Sequence, residues 1–91
     1  MRLRWSSKGY SDLERLHEFL ERLNPQAAAR ATARLVRAPE RLLKMPRIGV
    51  HLEEYGARDV RRILVDAYEI QYEIQNDEIL VLRIWHVRES R

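Results

Sequence analysis

The sequence contains no cysteine, and its 91 residues include only three glycines and three prolines. Without cysteine the chain has no disulfide framework, no thiolate zinc site and no cysteine nucleophile. No apolar run approaches the roughly 18 residues of a membrane span, and the first five residues lack the apolar stretch of a signal peptide. We therefore expect a cytoplasmic protein that makes no contact with a membrane.

The length and composition predict one domain over residues 1–91. Apolar residues make up 45% of the chain and charged residues 34%, which is enough apolar content for a small globular core. A chain of 10.9 kDa is too short to divide that content between two cores that are each stable. Multidomain enzymes are therefore excluded.

Charge is distributed unevenly along the chain. Residues 1–47 contain eleven Lys or Arg and five acids, whereas residues 48–91 contain six and nine. A basic N-terminal half predicts attraction to phosphates or to an acidic protein partner. The alternative is a solvated helix face with no binding role. Arginine outnumbers lysine fifteen to two, which favours bidentate recognition.

The first half of the sequence predicts a strand and a helical hairpin. Residues 2–5 alternate between polar and apolar, as a short strand does. Ser11 and Glu14 match a capping box, and leucines at spacings of three and four then predict an amphipathic helix over residues 12–23. Asn24 and Pro25 predict the cap and first residue of a second helix, which must fold back beside the first.

The second predicted helix carries a ridge of cations at spacings of four, three, four and three. Its members are Arg30, Arg34, Arg37, Arg41 and Lys44. They lie on one side provided that the helix continues past Pro39, which is expected to kink or break it. The ridge is a candidate surface for an acidic partner.

The second half predicts antiparallel strands. Residues 68–75 alternate between apolar and polar, Asn76 and Asp77 make a tight turn, and residues 79–85 read as a central strand that is covered on both faces. Residues 60–65 precede them as a further strand, and another is possible at 50–55. The predicted fold is α+β, with an N-terminal strand and an antiparallel helical hairpin packed on a small, mainly antiparallel sheet of three to four further strands.

Four segments together resemble toxins of the RelE/ParE superfamily from type II toxin-antitoxin modules. They are GYSDL at 9–13, LLKMPRIG at 42–49, RILVDAYEIQYEI at 62–74 and ILVLRIWHVR at 79–88. The resemblance covers nearly the whole chain and implies a small sheet packed on a helical hairpin. It also implies a toxin that forms a hetero-oligomer with a cognate antitoxin.

Function within this superfamily divides between two targets. RelE-like members cut mRNA in the ribosome, whereas ParE-like members bind DNA gyrase. The cutting members commonly have an arginine where this chain has Glu69, and a basic residue where it has Val87. An anion at the first position would repel the phosphate, so the resemblance favours the ParE-like side and inhibition of growth through gyrase.

Two alternatives stay open. A ribosome-dependent mRNA endonuclease would use His86 as general base, with Arg62 and Arg88 holding the phosphate. A toxin-like fold that has lost its activity would survive as an antitoxin-binding partner.

Other residues add binding candidates but no cofactor. Trp85 and Arg88 join the cationic ridge as candidate contacts to the target or antitoxin. Arg83 interrupts an apolar strand and is expected either to reach the sheet edge or to pair with an acid such as Glu69 or Glu73 across strands, with a structural ion pair as the favoured role. The histidines lack the spacing of a metal site, and the single glycines make no phosphate-binding loop, so neither metal nor cofactor is predicted.

Overall fold

A computed structural model describes residues 1–89. The strands are β1 (Arg2–Trp5), β2 (Val50–His51), β3 (Val60–Val65), β4 (Tyr68–Gln75) and β5 (Glu78–His86), and the helices are α1 (Ser7–Leu23) and α2 (Pro25–Arg37). Short 3₁₀ segments at Ala38–Leu43, Pro46–Ile48 and Glu53–Tyr55 complete the connections.

The five strands form one sheet in the order β1-β5-β4-β3-β2. Strand β1 pairs parallel to β5, and every other pair is antiparallel. The predicted α+β fold is confirmed, as is the interior position of the strand over residues 79–85. The predicted strand at 50–55 is wrong beyond His51, because the Leu52 N–H bonds to the Val60 carbonyl and the chain then turns into a 3₁₀ segment.

Helix α1 begins earlier than the capping box predicted. Its N-cap is Ser6, whose hydroxyl oxygen accepts from the Gly9 N–H at 2.9 Å and donates to the Leu82 carbonyl at 2.9 Å. The prediction of Ser11 as the cap is therefore wrong. A Cβ at Gly9 would lie 2.8 Å from the Val81 carbonyl oxygen, so glycine is what lets the first turn of α1 rest on β5.

Helix α2 begins at the residue that the sequence predicts, Pro25, and ends just before Pro39. The Asn24 side chain accepts from the N–H groups of Gln26 and Ala27 at 3.0 and 3.1 Å. Pro39 lies just beyond the last α-helical residue, Arg37, and the chain continues as a 3₁₀ segment. The predicted break at Pro39 is confirmed.

Both helices pack on one face of the sheet, which we call the helix face. Leu16, Leu35 and Leu42 contribute to its core from the helical half, and the strands contribute Ile63, Ile70, Tyr72, Ile79, Val81 and Ile84. The Tyr72 hydroxyl donates to the Pro46 carbonyl at 2.7 Å and accepts from the Gly49 N–H at 3.0 Å. A Cβ at Gly49 would lie 2.5 Å from that hydroxyl, so this contact requires glycine.

The opposite face, which we call the second face, carries Glu69, Gln71 and Glu73 of β4. The Arg58 guanidinium donates to Glu73 at 2.9 and 3.1 Å, and this hydrogen bond lowers the pKa of the buried carboxyl. The Gln71 side chain donates to Glu69 at 3.0 Å. These polar groups of the second face are therefore buried with hydrogen-bond partners.

A β-bulge in β5 changes which face its residues occupy. Gln71 pairs with Arg83 and Tyr72 with Val81, so Leu82 has no partner in β4. Ile79 and Val81 lie on the helix face before the bulge and Ile84 lies there after it. Strict alternation from Ile79 would have placed His86 on the second face, but the extra residue moves it to the helix face.

Asp12 of α1 binds this bulge. Its carboxylate is 6% exposed and accepts from the Ile84 N–H at 2.9 Å and from Arg83 Nε at 2.8 Å. The hydrogen bond to Asp12 raises the pKa of Arg83, so the guanidinium keeps its charge. The predicted ion pair of Arg83 is therefore present, but its partner is Asp12 and not Glu69 or Glu73. Arg83 lies opposite Gln71 on the second face and reaches Asp12 past the end of β1, which pairs with β5 only as far as Val81.

Within residues 1–89, no helix has both the length and the apolar character to cross a bilayer. The same part of the chain holds no cluster of three or more histidine or acidic side chains arranged to bind a metal ion.

We predict that Asp12→Ala lowers the free energy of unfolding by about 2–4 kcal/mol, because it leaves a buried N–H and a guanidinium without their acceptor. Urea denaturation measures the change. Glu14→Ala, an exposed carboxylate on the same helix, is the matched control and should stay within about 0.5 kcal/mol of the unmodified chain. A loss below about 1 kcal/mol for Asp12→Ala would contradict the role given to this carboxylate.

Candidate functional site

A groove with a cationic wall runs between the helical half and the open edge of the sheet. Its two adjoining parts have volumes of about 340 and 280 Å³ and share Arg41 and Leu64. We call it the basic groove, and its main lining residues are Arg34, Arg37, Arg41, Arg62, Leu64 and Val50. Cations line both of its sides, so the groove favours an acidic occupant.

The floor of the basic groove includes an unpaired stretch of strand edge. Strand β2 pairs with β3 only through Val50 with Arg62 and His51 with Arg61. Hydrogen bonds alternate along a strand, so Leu64 directs its N–H and C=O away from β4 and past the end of β2. No strand of residues 1–89 pairs there, and the Leu64 side chain is 55% exposed. This edge has the geometry to accept an added strand.

The predicted cationic ridge is only partly assembled at this groove. Arg34, Arg37 and Arg41 line it, whereas Arg30 and Lys44 are exposed outside the lining. Arg34 makes two hydrogen bonds to Asp66 at 2.6 and 3.0 Å. Within the described chain, the cations of the groove that have no ion-pair partner are therefore Arg37 and Arg41. Arg30 lies about one turn before Arg34 on α2, and Lys44 follows the 3₁₀ segment at Ala38–Leu43.

A second concavity lies between α1 and the ends of β4 and β5. It has a volume of about 600 Å³ and we call it the apolar cleft. Its lining residues are Arg15, Leu16, Phe19, Leu20, Tyr68, His86, Arg88 and Glu89. Burial raises the pKa of Tyr68, and the carboxylates of Asp66 and Glu89 add to the increase, so this phenol is neutral at physiological pH.

His86 is held at the cleft by three contacts. Its ring packs edge-on against Tyr68 with the ring centroids 5.3 Å apart. Its backbone N–H donates to the Glu89 carboxylate at 2.7 Å, and its ring Nδ1 accepts from the backbone N–H of Arg88 at 3.1 Å. A backbone N–H can only donate, so Nδ1 carries the lone pair and the proton of the neutral ring is on Nε2. The nitrogen that is free to meet a ligand is therefore a donor and not a base.

The three residues proposed for RNA cleavage do not meet at one site. Arg62 lies on the second face with its guanidinium 3.8 Å from the Glu69 carboxylate. His86 lies opposite Tyr68 on the helix face, where Arg88 also lines the apolar cleft. Tyr68 and Glu69 are consecutive strand residues and point to opposite faces, so the sheet separates His86 from Arg62.

The remaining binding candidates occupy different surroundings. Trp85 is on the second face and 7% exposed, with the Arg83 guanidinium 5.4 Å from its ring centroid. Arg88 is exposed, and its guanidinium makes no ion pair within residues 1–89. The roles of both in binding stay predictions.

Sequence reasoning gave no function to two residues of these surfaces. No function is predicted for Phe19 from the sequence, yet it is 58% exposed and lines the apolar cleft. On α1, Phe19 lies beside the leucine stripe and not within it, and this position is the sequence signal that could have indicated an exposed aromatic side chain. Leu64 is an apolar residue at a position of β3 where alternation predicts a polar one. This departure from the pattern marks the exposed edge of the sheet.

A family model described as "ParE toxin of type II toxin-antitoxin system, parDE" matches residues 3–91. Among solved structures, the chain is similar to one described as "Chromosomal ParDE TA system from P. aeruginosa". That match has a TM-score of 0.80 at 22% sequence identity and covers 94% of this chain and 95% of the other. It supports the fold. No curated protein sequence matches the chain.

We predict that neutral His86 has its proton on Nε2, because the Arg88 N–H occupies Nδ1. Long-range ¹H–¹⁵N correlation spectra recorded well above neutral pH distinguish the two tautomers. A substantial population of His86 with the proton on Nδ1 would contradict this geometry.

Proposed function

Because the chain belongs to the ParE toxin family of type II toxin-antitoxin systems, we propose that it inhibits growth by binding DNA gyrase and that a cognate antitoxin neutralises it. The observation that carries the proposal is the separation of His86 from Arg62 by the sheet. Binding a macromolecule needs displayed surfaces, whereas cleavage of RNA needs groups that converge on one bond. We expect both partners to be met in the cytoplasm.

The chemistry of the candidate cleavage residues supports binding rather than catalysis. The free nitrogen of His86 is a donor, so it has no lone pair with which to take a proton from a 2′-hydroxyl. Arg62 faces Glu69, whose carboxylate would oppose the charge that develops on a phosphate. These two features count against the endonuclease alternative.

The basic groove is the surface that we assign to the antitoxin. Arg37 and Arg41 offer two unpaired cations to an acidic segment, and the open edge at Leu64 offers main-chain hydrogen bonds to an added strand. Exposed Leu64 and Val50 beside that edge would receive alternate apolar side chains of the segment. Charge then steers and orients the antitoxin, while the strand edge fixes its register.

A supercoiling assay tests the proposal directly. We predict that the purified chain inhibits gyrase and that supercoiling is preserved when the chain is first mixed with its cognate antitoxin. The double variant Arg37→Glu/Arg41→Glu should inhibit gyrase to the same extent, yet its affinity for the antitoxin should fall roughly 10- to 100-fold, because two attractive contacts become repulsive.

The matched control for the groove is Arg30→Glu/Lys44→Glu, which changes the net charge equally but outside the groove lining. It should lose no more than about threefold in antitoxin affinity. Gyrase that is unaffected by a large molar excess of the chain would contradict the target assignment. Equal losses in the two double variants would contradict the assignment of the groove.

A further inference from the structure

The apolar cleft exposes apolar surface that folding does not explain. Leu16 and Leu20 form its wall on α1 and Tyr68 forms its floor, but Phe19 is left 58% exposed at its mouth. A concave site of about 600 Å³ with mainly apolar walls and a few polar groups is typical of a binding site. Such a surface favours a partner that inserts an apolar side chain.

At the rim of the apolar cleft, one cation has no ion-pair partner within residues 1–89. The Arg15 guanidinium is 2.6 Å from Glu89 and 3.5 Å from Asp12, so its charge is already paired. Arg88 has no ion pair within residues 1–89, and the free nitrogen of His86 is a donor. The rim therefore selects an acceptor or an anion, and a carboxylate next to an apolar residue satisfies both the rim and the walls.

The cleft is also rigid before anything binds. The Val87 N–H donates to the Ala67 carbonyl at 2.8 Å, and the His86 N–H donates to Glu89. With the Tyr68 ring against His86, these bonds fix the residues that follow β5 to the β3–β4 turn. A preformed site loses little conformational entropy on binding.

The β3–β4 turn lies between the apolar cleft and the basic groove. Asp66 of the turn lines the groove and pairs with Arg34, whereas Tyr68, two residues later, lines the cleft. The two surfaces share no lining residue, so substitutions can affect each separately. They are close enough for an antitoxin in the groove to obstruct a large protein at the cleft.

We propose that the apolar cleft is the contact surface for the protein target, which inserts an apolar side chain beside Phe19 and pairs a neighbouring carboxylate with Arg88. This inference rests on the proposed function and adds to it the site and the chemistry of the target contact. The antitoxin then neutralises the toxin from the adjoining groove by obstructing that contact.

The test compares gyrase inhibition with antitoxin affinity in the full chain. Phe19→Ser/Arg88→Glu changes two exposed side chains, and we expect the concentration for half-inhibition of supercoiling to rise roughly 30-fold or more. Antitoxin affinity should stay within about threefold of the unmodified chain, which also reports that the variant is folded. Arg88→Glu alone should raise the half-inhibition concentration about 10-fold.

The matched control is Tyr10→Ser/Arg22→Glu, which removes an aromatic that is 57% exposed on α1 and reverses the charge of an exposed arginine of the same helix, both outside the cleft. It should inhibit gyrase normally.

If the unmodified chain and the cleft variant inhibit gyrase equally well, this inference is overturned and the proposed function is not. Loss of antitoxin affinity equal to the loss of inhibition also overturns it, because the cleft is then an antitoxin site. An unmodified chain without effect on gyrase overturns the proposed function as well.

Discussion

The buried carboxylate of Asp12 determines how the two halves of this fold are joined. It accepts the Ile84 N–H and the Arg83 guanidinium at the bulge of β5, while Ser6 binds the Leu82 carbonyl a few residues away. An extra strand residue leaves main-chain groups without ladder partners, and a buried unpaired group is costly. Helix α1 supplies those partners, so the bulge and the seating of the helix depend on each other.

The bulge in turn decides what the surface can do chemically. Without it, alternation would place His86 on the second face, which carries Arg62 and Glu69. With it, His86 packs on Tyr68 beneath α1, and the Arg88 N–H fixes its tautomer. The histidine becomes a donor at the rim of an apolar cleft rather than a base beside an arginine. One residue of register thus decides whether His86 and Arg62 lie on the same face of the sheet.

Local signals made much of the fold predictable. Asn24 caps its helix through its own side chain, and the period of two gives β3 and β4 their predicted limits, because these features depend on neighbours in the sequence. The bulge depends on Asp12, about seventy residues away from Arg83, so no local pattern predicts it. The apolar cleft was missed for the same reason, since Phe19 acquires its role only where β5 ends against α1.

The cations of this ParE family toxin lie at two separate surfaces and do not converge on one site. The chain offers a cationic groove at one strand edge and a preformed cleft beyond the adjoining turn. The most direct test is primer extension on mRNA in a reconstituted translation system that receives the purified chain. We predict that the mRNA remains at full length. New 5′ ends at the ribosome that disappear with His86→Ala would contradict it.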